Sequence, residues 1–157
     1  MLSKTQELLI LSQLRNDARQ SLTYMSKKTR IPVSTLHEKL KGYKGGVIPR
    51  HTSLLHFPSL GYSSQVTMML AVEKEDKEKL RSFLLQCPLI NSCFHINNGF
   101  DFFAEAVFQS MHEAEIFLDS LDQKFQLKGK HVHYVIDELK REAFLSSPDY
   151  VHLLHGS

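Results

Sequence analysis

The chain of 157 residues is long enough for one ordinary domain or two small ones, and its 42% hydrophobic and 23% charged residues are typical of a globular protein. No apolar run approaches the ~20 residues that cross a bilayer, and Cys87 and Cys93 do not resemble a disulfide framework, so we expect reduced thiols in a cytoplasmic protein. The first fifty residues carry ten bases and three acids, a net charge of +7, whereas the remainder carries nine bases and fourteen acids, a net charge of −5. This division predicts a small cationic head that meets a polyanion and a body with another task.

Two short helices are predicted at the start of the basic head. Leucines recur at helical spacing from Thr5 to Leu14, and Ser3 is in the position of an N-cap. A second helix runs from Leu22 to about Thr29, with Ser21 as its N-cap.

A third helix follows almost immediately. Pro32 is poor inside a helix but favoured at its first position, so it opens this helix after the tight turn at Arg30-Ile31. The predicted inner stripe is Val33, Leu36 and Leu40. Glycines end the helix, namely Gly42 and the pair Gly45-Gly46.

Two helices joined by a tight turn indicate a helix-turn-helix, although a helical hairpin with a basic outer face fits the same pattern. In a helix-turn-helix the last helix enters the DNA major groove, where short polar side chains read base edges and cations neutralise phosphates. The candidate DNA-binding residues are Lys27, Lys28, Arg30, Ser34, Thr35, His37, Glu38, Lys39, Lys41 and Arg50.

The body has a different rhythm. Between head and body, residues 47–57 are apolar and β-rich and predict an extended connecting strand. Residues Ile90, Ser92, Phe94 and Ile96 alternate with their neighbours, and Asn97-Asn98-Gly99 is a hairpin signal. The predicted strands are Gln65–Val72, Ile90–Ile96, Asp101–Phe108 and His131–Asp137, and the predicted helices are Lys77–Cys87 and Met111–Phe125.

The order strand, helix, strand, strand, helix, strand is that of the ferredoxin-like βαββαβ fold. The two helices cover one face of such a sheet. The other face carries mixed residues, so we predict that two copies of the chain cover one another's sheets through Thr67, Met69, Phe103 and Val107.

Catalytic and metal chemistry find little support in the sequence. There is no glycine-rich phosphate loop and no G-x-S-x-G, and residues 73–76 are acidic where a phosphatase of this fold needs a phosphate loop. His131 and His133 share one face of a strand but lack further ligands at suitable spacing, and His152 and His155 lie on a tail after Pro148. We therefore predict no enzyme, no cofactor and no metal site.

With these elements in place, the chain resembles the Lrp/AsnC, or feast/famine, family of prokaryotic transcriptional regulators. In the head the resemblance rests on Ile10-Leu11, Leu14, residues 17–21 and the stretch from Ile31 to Leu40. Further along it rests on Gly46-Val47-Ile48, Pro88 and Cys93, and on Asn98 to Phe103 in the hairpin.

The resemblance implies an α+β architecture in four parts. Residues 1–48 would form a winged-type helix-turn-helix and residues 49–60 a connecting strand or hinge. Residues 61–145 would form a ferredoxin-like (RAM-type) domain for oligomerisation and effector binding, and residues 146–157 a C-terminal tail.

The resemblance also implies a function. The protein would be a sequence-specific regulator that binds double-stranded DNA and assembles with itself as a dimer and then a tetramer or octamer. It would be cytoplasmic and nucleoid-associated, without a membrane partner, and an amino acid or related small molecule could control it. Two alternatives stay open, namely an amino-acid-sensing oligomerisation module that acts through protein partners and an architectural DNA-binding protein.

Three positions depart from the family pattern. Pro32 replaces a serine that caps the recognition helix, and Gly42 with Tyr43 predicts an early end to that helix. Asn98 replaces the glycine of the hairpin, with Gly99 displaced by one position, which leaves effector control an open question. The candidate effector-binding residues are Asn98, Gly99, Phe100 and Asp101, of which Asp101 either contacts an effector or accepts backbone N–H bonds in the turn.

Overall fold

The computed structural model describes residues 2–154, which divide into two compact units. One unit combines residues 2–53 with residues 139–154, and the other is Leu54–Glu138. The predicted division left residues 139–145 with the body and treated residues 146–157 as a tail. His155 and the last part of that tail lie outside the described residues.

The first unit is built on three helices, α1 (Lys4–Asn16), α2 (Leu22–Thr29) and α3 (Val33–Tyr43). Both predicted serine caps are confirmed: the Ser3 hydroxyl accepts from the Gln6 N–H in a capping box, and the Ser21 hydroxyl accepts from the Tyr24 N–H. The three helices close around a fully buried centre of Ile10, Met25, Ile31 and Leu36, with Tyr43 at its edge.

Helix α3 departs from its prediction in two ways. It continues through Gly42 to Tyr43 because the aromatic ring of Tyr43 is buried against the other helices, and that burial outweighs the low helix propensity of glycine. Val33, predicted to face inward, is 42% exposed since the buried stripe is shifted to Leu36, Leu40 and Tyr43. After α3, a turn with Gly45 at φ +79 is closed by one isolated bridge between Lys44 and Ile48, at the place of the predicted wing.

The predicted connecting strand is not observed. Residues 49–56 adopt no helix or strand, and Phe57–Leu60 forms a short 3₁₀ helix. A strand requires a ladder of backbone hydrogen bonds, and Pro49 and Pro58 cannot donate to one. High β propensity therefore did not create a strand in this segment.

The second unit is a four-stranded antiparallel sheet, β1 (Ser64–Val72), β2 (Ile90–His95), β3 (Phe102–Phe108) and β4 (Leu127–Tyr134), with helices α4 (Lys77–Gln86) and α5 (Met111–Lys124). The strand order β2-β3-β1-β4 confirms the ferredoxin-like arrangement. The inner face of the sheet and both helices form one core that includes Met68, Leu70, Phe102, Phe108, Leu80 and Leu121.

Two strands differ from the alternation in the sequence. The register between β2 and β3 shifts between Ile90 and Ser92, so Cys93 packs on the core while Phe94 lies on the outer face, 55% exposed. Strand β4 begins four residues before its predicted start because it pairs with β1 from Val72 onward, with a second register shift beside Gly129. Among residues 2–154 no helix is long and apolar enough to span a membrane.

Candidate nucleic-acid interface and hairpin site

The outward face of α3 is the most coherent polar surface of the first unit. Ser34, His37, Glu38 and Lys41 follow one another at helical spacing, and all four are exposed. His37 and Glu38 approach one another, with His37 Nδ1 and Glu38 Oε1 3.5 Å apart. Thr35 lies at the margin of this face and is half-buried. The face therefore presents hydroxyl, imidazole, carboxylate and ammonium groups to any partner that has a groove wide enough for an α-helix.

Exposed cations from α2 flank this surface. Lys27 and Lys28 occupy the last turn of α2, and Arg30 follows as its C-cap in the left-handed region at φ +58. The Lys28 ammonium lies 5.6 Å from the centre of the Tyr24 ring, which restricts the side chain without neutralising it. Arg30 lies in the tight turn between α2 and α3. Its side chain is exposed, whereas the side chain of its neighbour Ile31 is buried.

The N-terminus of α3 lacks a side-chain cap. Pro32 is the N-cap residue and makes no capping hydrogen bond, unlike Ser3 and Ser21 on the two preceding helices. The first backbone N–H groups of an uncapped helix point outward along the positive end of the helix dipole. They are suited to donate hydrogen bonds to an anionic oxygen such as that of a phosphate.

Two predicted residues are placed differently from the rest. The Lys39 ammonium is bound to the Glu7 carboxylate of α1, and this hydrogen bond raises the pKa of Lys39. Lys39 is therefore directed toward α1 and not toward the outward face of α3. Arg50 is exposed but lies beyond the three helices, in the irregular segment after Ile48.

The hairpin between β2 and β3 contains the four residues of the second candidate site. Asn98 and Gly99 both adopt positive φ, +65 and +93, as the Asn-Gly turn signal predicts, and both are exposed. The Phe100 ring packs 4.9 Å from the His131 ring of β4. A ligand at this hairpin would therefore meet an exposed turn on one side and an aromatic pair on the other.

Asp101 takes part in four polar contacts, two through its carboxylate and two through its backbone. Its carboxylate accepts from the Lys77 ammonium at 2.8 Å and from the Val72 N–H at 3.0 Å. Its backbone N–H donates to Leu70 and its carbonyl accepts from Ile96. The Lys77 hydrogen bond and then the Val72 N–H hold the pKa of Asp101 below its usual value. The Asp101 carboxylate accepts a backbone N–H, as one of the two alternatives expected, but this N–H belongs to the end of β1 and not to the turn.

The sequence does not single out three residues that make specific contacts in the fold, Lys77, Tyr24 and Arg15. Lys77, at the start of α4, contacts Asp101 only because the chain folds back on itself at the sheet. No local sequence spacing therefore predicts the pair. Tyr24 and Lys28 are four residues apart on one helix, a spacing that could have indicated their contact. Arg15, in the last turn of α1, binds residues far along the chain, which no sequence pattern indicates.

The histidines do not assemble into a metal centre in the described part of the chain. His131 and His133 pair with Met69 and Thr67 and share the outer face of the sheet, as predicted. Within residues 2–154 no group of three or more His, Cys, Asp or Glu side chains is placed to hold a metal ion.

Comparison with known proteins identifies the family to which this chain belongs. The Lrp/AsnC ligand binding domain family matches residues 65–144, which include both covering helices, the hairpin and all of the sheet except Ser64. The chain belongs to the Lrp/AsnC family of transcriptional regulators.

Individual relatives match most of the chain. The HTH-type transcriptional regulator FL11 of Pyrococcus horikoshii is 26% identical over 128 residues, 81% of this chain and 85% of that protein. A transcriptional regulator of Neisseria meningitidis, solved as a complex with L-Met, has a TM-score of 0.80 at 22% identity over 90% of this chain and 94% of its own. B. subtilis LrpC has a TM-score of 0.78 at 20% identity, with 89% and 98% covered. The two structures share the fold of both units with this chain.

Proposed function

We propose that this protein regulates transcription by binding specific DNA sites through its α2–α3 surface. The observation that carries the proposal is the outward face of α3, where Ser34, His37, Glu38 and Lys41 are all exposed beside the cations of α2. Membership of the Lrp/AsnC family and similarity to HTH-type regulators over most of the chain support this assignment. No catalytic step is part of the proposal.

Within this surface, two groups of residues have different roles. Lys27, Lys28 and Arg30, with the uncapped N–H groups of α3, contact phosphates and set affinity without reading sequence. Ser34 and His37, in the first half of α3, contact base edges in the major groove and provide discrimination.

The functional unit is an assembly of at least two chains. Across the outer face of the sheet, Phe94, Phe103, Met69 and His131 form one continuous row of paired positions. Three of these four residues are apolar, and such a row on an outer sheet face suits packing against the same face of a second copy. Two heads in one assembly would address half-sites about 34–36 Å apart or a multiple of that distance.

Control by a small molecule is the second part of the proposal. The matched family domain is a ligand binding domain, and the Neisseria relative was solved with L-Met. In this chain the Asp101 carboxylate is already bound to Lys77 and Val72. An effector with an ammonium group must therefore displace Lys77, or else bind through the exposed Asn98-Gly99 turn and Phe100.

Charge removal in the head tests the DNA surface. We expect Lys28→Gln, Arg30→Gln and Lys41→Gln each to weaken binding to specific and non-specific DNA alike and to reduce the salt slope by about one. Lys74→Gln is the matched control, because it removes one exposed cation from the other unit. Variants with the affinity and slope of the control would exclude the α2–α3 surface as the DNA-binding site.

Base readout separates a sequence-specific regulator from an architectural protein. We expect Ser34→Ala and His37→Ala to lose about 1–3 kcal/mol of discrimination between the best selected site and random DNA, with little change in non-specific affinity. The sites would be selected from genomic fragments. If selection enriches no sequence, the chain binds DNA without reading it.

A further inference from the structure

The last described residues of the chain belong to the DNA-binding head and not to the sheet. Residues 139–154, which we call the C-terminal strap, form one compact unit with residues 2–53. The strap ends in a 3₁₀ turn, Pro148–Tyr150, and a short helix, α6 (Val151–Leu154), which contacts α1. Val151 is 3% exposed, so the strap is anchored by a buried apolar side chain.

A second anchor is the guanidinium group of Arg15 in α1. Its Nε donates to the Phe144 carbonyl at 3.1 Å, and its terminal nitrogens donate to the Glu142 carboxylate at 3.1 Å and to the Glu142 carbonyl. Glu142 and Leu145 adopt positive φ, +51 and +59. Two left-handed non-glycine residues within four positions disfavour this path of the backbone unless contacts hold it. The strap is therefore a docked element.

The docked strap brings a carboxylate to the phosphate-binding side of α2. Pro148 and Asp149 line a cavity of about 730 Å³ together with Tyr24 and Lys28 of α2. The Asp17 carboxylate, at the C-cap of α1, lines the same cavity, and at low salt the Debye length of about 30 Å at 0.01 M lets charges on its walls act on one another. Asp149 therefore acts on the same region of space as Lys28, with the charge that repels a phosphate.

We propose that the C-terminal strap is an intramolecular brake on DNA binding, in which docked Asp149 reduces the attraction of Lys28 for the DNA backbone. This inference rests on the proposed DNA-binding function of the α2–α3 surface. Release of the strap from α1 removes the carboxylate from this region and raises DNA affinity. The brake is electrostatic, so it acts at low salt and fades as salt rises.

Two substitutions in the full-length chain separate charge from docking. Asp149→Asn removes the charge from an exposed position and leaves the anchors at Arg15 and Val151 in place. Val151→Asn buries an unpaired amide against α1 and thereby favours the undocked strap. Asp119→Asn, on the exposed side of α5 in the other unit, changes net charge equally and is the control.

The readouts are DNA affinity at two salt concentrations and protease sensitivity of the strap. In about 20 mM salt we expect Asp149→Asn to bind DNA on the order of two- to fivefold more tightly than Asp119→Asn, with the difference lost near 0.5 M. We expect Val151→Asn to increase chymotryptic cleavage at Phe144 and Tyr150 and to tighten DNA binding at least as much. In the double variant, Asp149→Asn adds nothing further because the strap is already undocked.

The possible failures are distinct. Wild-type protein that binds no DNA at any salt overturns the proposed function itself. Wild-type protein that binds DNA, with Asp149→Asn equal to Asp119→Asn, overturns the brake alone. Weaker binding by a folded, protease-sensitive Val151→Asn variant also overturns it, since the strap would then support the head.

Discussion

A substitution at Asp101 tests directly whether this residue stabilises the fold. The change to test is Asp101→Asn, which preserves the shape of the side chain but removes the charge that binds Lys77 and the Val72 N–H. A hydrogen bond to a charged acceptor contributes about 1.5–3 kcal/mol and one to a neutral acceptor about 0.5–1.5 kcal/mol. The partly exposed ion pair with Lys77 adds about 0.2–1 kcal/mol. We therefore expect a loss of about 1–2 kcal/mol in the free energy of unfolding.

The pH dependence gives this prediction its sign. The folded-state pKa of Asp101 is lowered, so its contribution is fully present above the unfolded value of about 3.9 and is lost as pH falls through the folded pKa. Urea unfolding followed by circular dichroism should show the full difference between wild type and variant from pH 7 to about pH 5. The difference should shrink below about pH 4, where the wild-type carboxyl also becomes neutral.

Two control variants and two possible outcomes test the structural role of Asp101. Lys77→Met removes the ion pair but keeps the Val72 hydrogen bond, so we expect at most about 1 kcal/mol. Glu73→Gln removes a more exposed carboxylate from its pair with Lys128 and should cost less than Asp101→Asn. A variant as stable as wild type at pH 7, or a difference unchanged at pH 3, would refute the structural role of Asp101.

Three other features of the fold give direct predictions. Ser3→Ala breaks the capping box of α1 and should cost about 1 kcal/mol, read from thermal unfolding of the unit that contains α1. Gly99→Ala places a side chain at φ +93 where no atom lies within 4 Å, so backbone strain alone should destabilise the chain by about 1 kcal/mol in urea. The Tyr134 hydroxyl donates to Glu115, which raises the Tyr134 pKa to about 12. Absorbance titration should show this high-pH tyrosine and its downward shift in Glu115→Gln, and the stability it contributes is present below about pH 10 and lost as pH rises through about 12.

The local spacing of apolar residues correctly predicts which side chains are buried when they all lie on one regular helix. In α5 the predicted inward residues Ala114, Phe117, Leu118 and Leu121 are the buried ones, since an uninterrupted helix keeps its spacing over 14 residues. The strand order followed from the order of elements, because few topologies satisfy short, right-handed connections.

Local periodicity failed where pairing or long-range contact decides. The bulge in β2 moves Cys93 inward and Phe94 outward, and a one-residue shift leaves no mark on the alternation itself. Residues 49–56 have the composition of a strand, but propensity does not supply a hydrogen-bonding neighbour. The clamp between Arg15 and Glu142 joins residues 127 positions apart, so only the folded chain reveals it.

The charge of the head overstates the cations that it can offer to DNA. Of the bases in the first fifty residues, Lys39 is bound to Glu7 and Arg15 to Glu142, so both are already compensated within the chain. On the α2–α3 surface itself four exposed cations remain, Lys27, Lys28, Arg30 and Lys41. With about 0.9 counterion released per neutralised phosphate, one head acting through this surface has a salt slope no steeper than about −3.6. A steeper slope per head would place further cations, such as Lys44 or Arg50, on the DNA and would extend the interface beyond α3 into the segment that precedes the sheet.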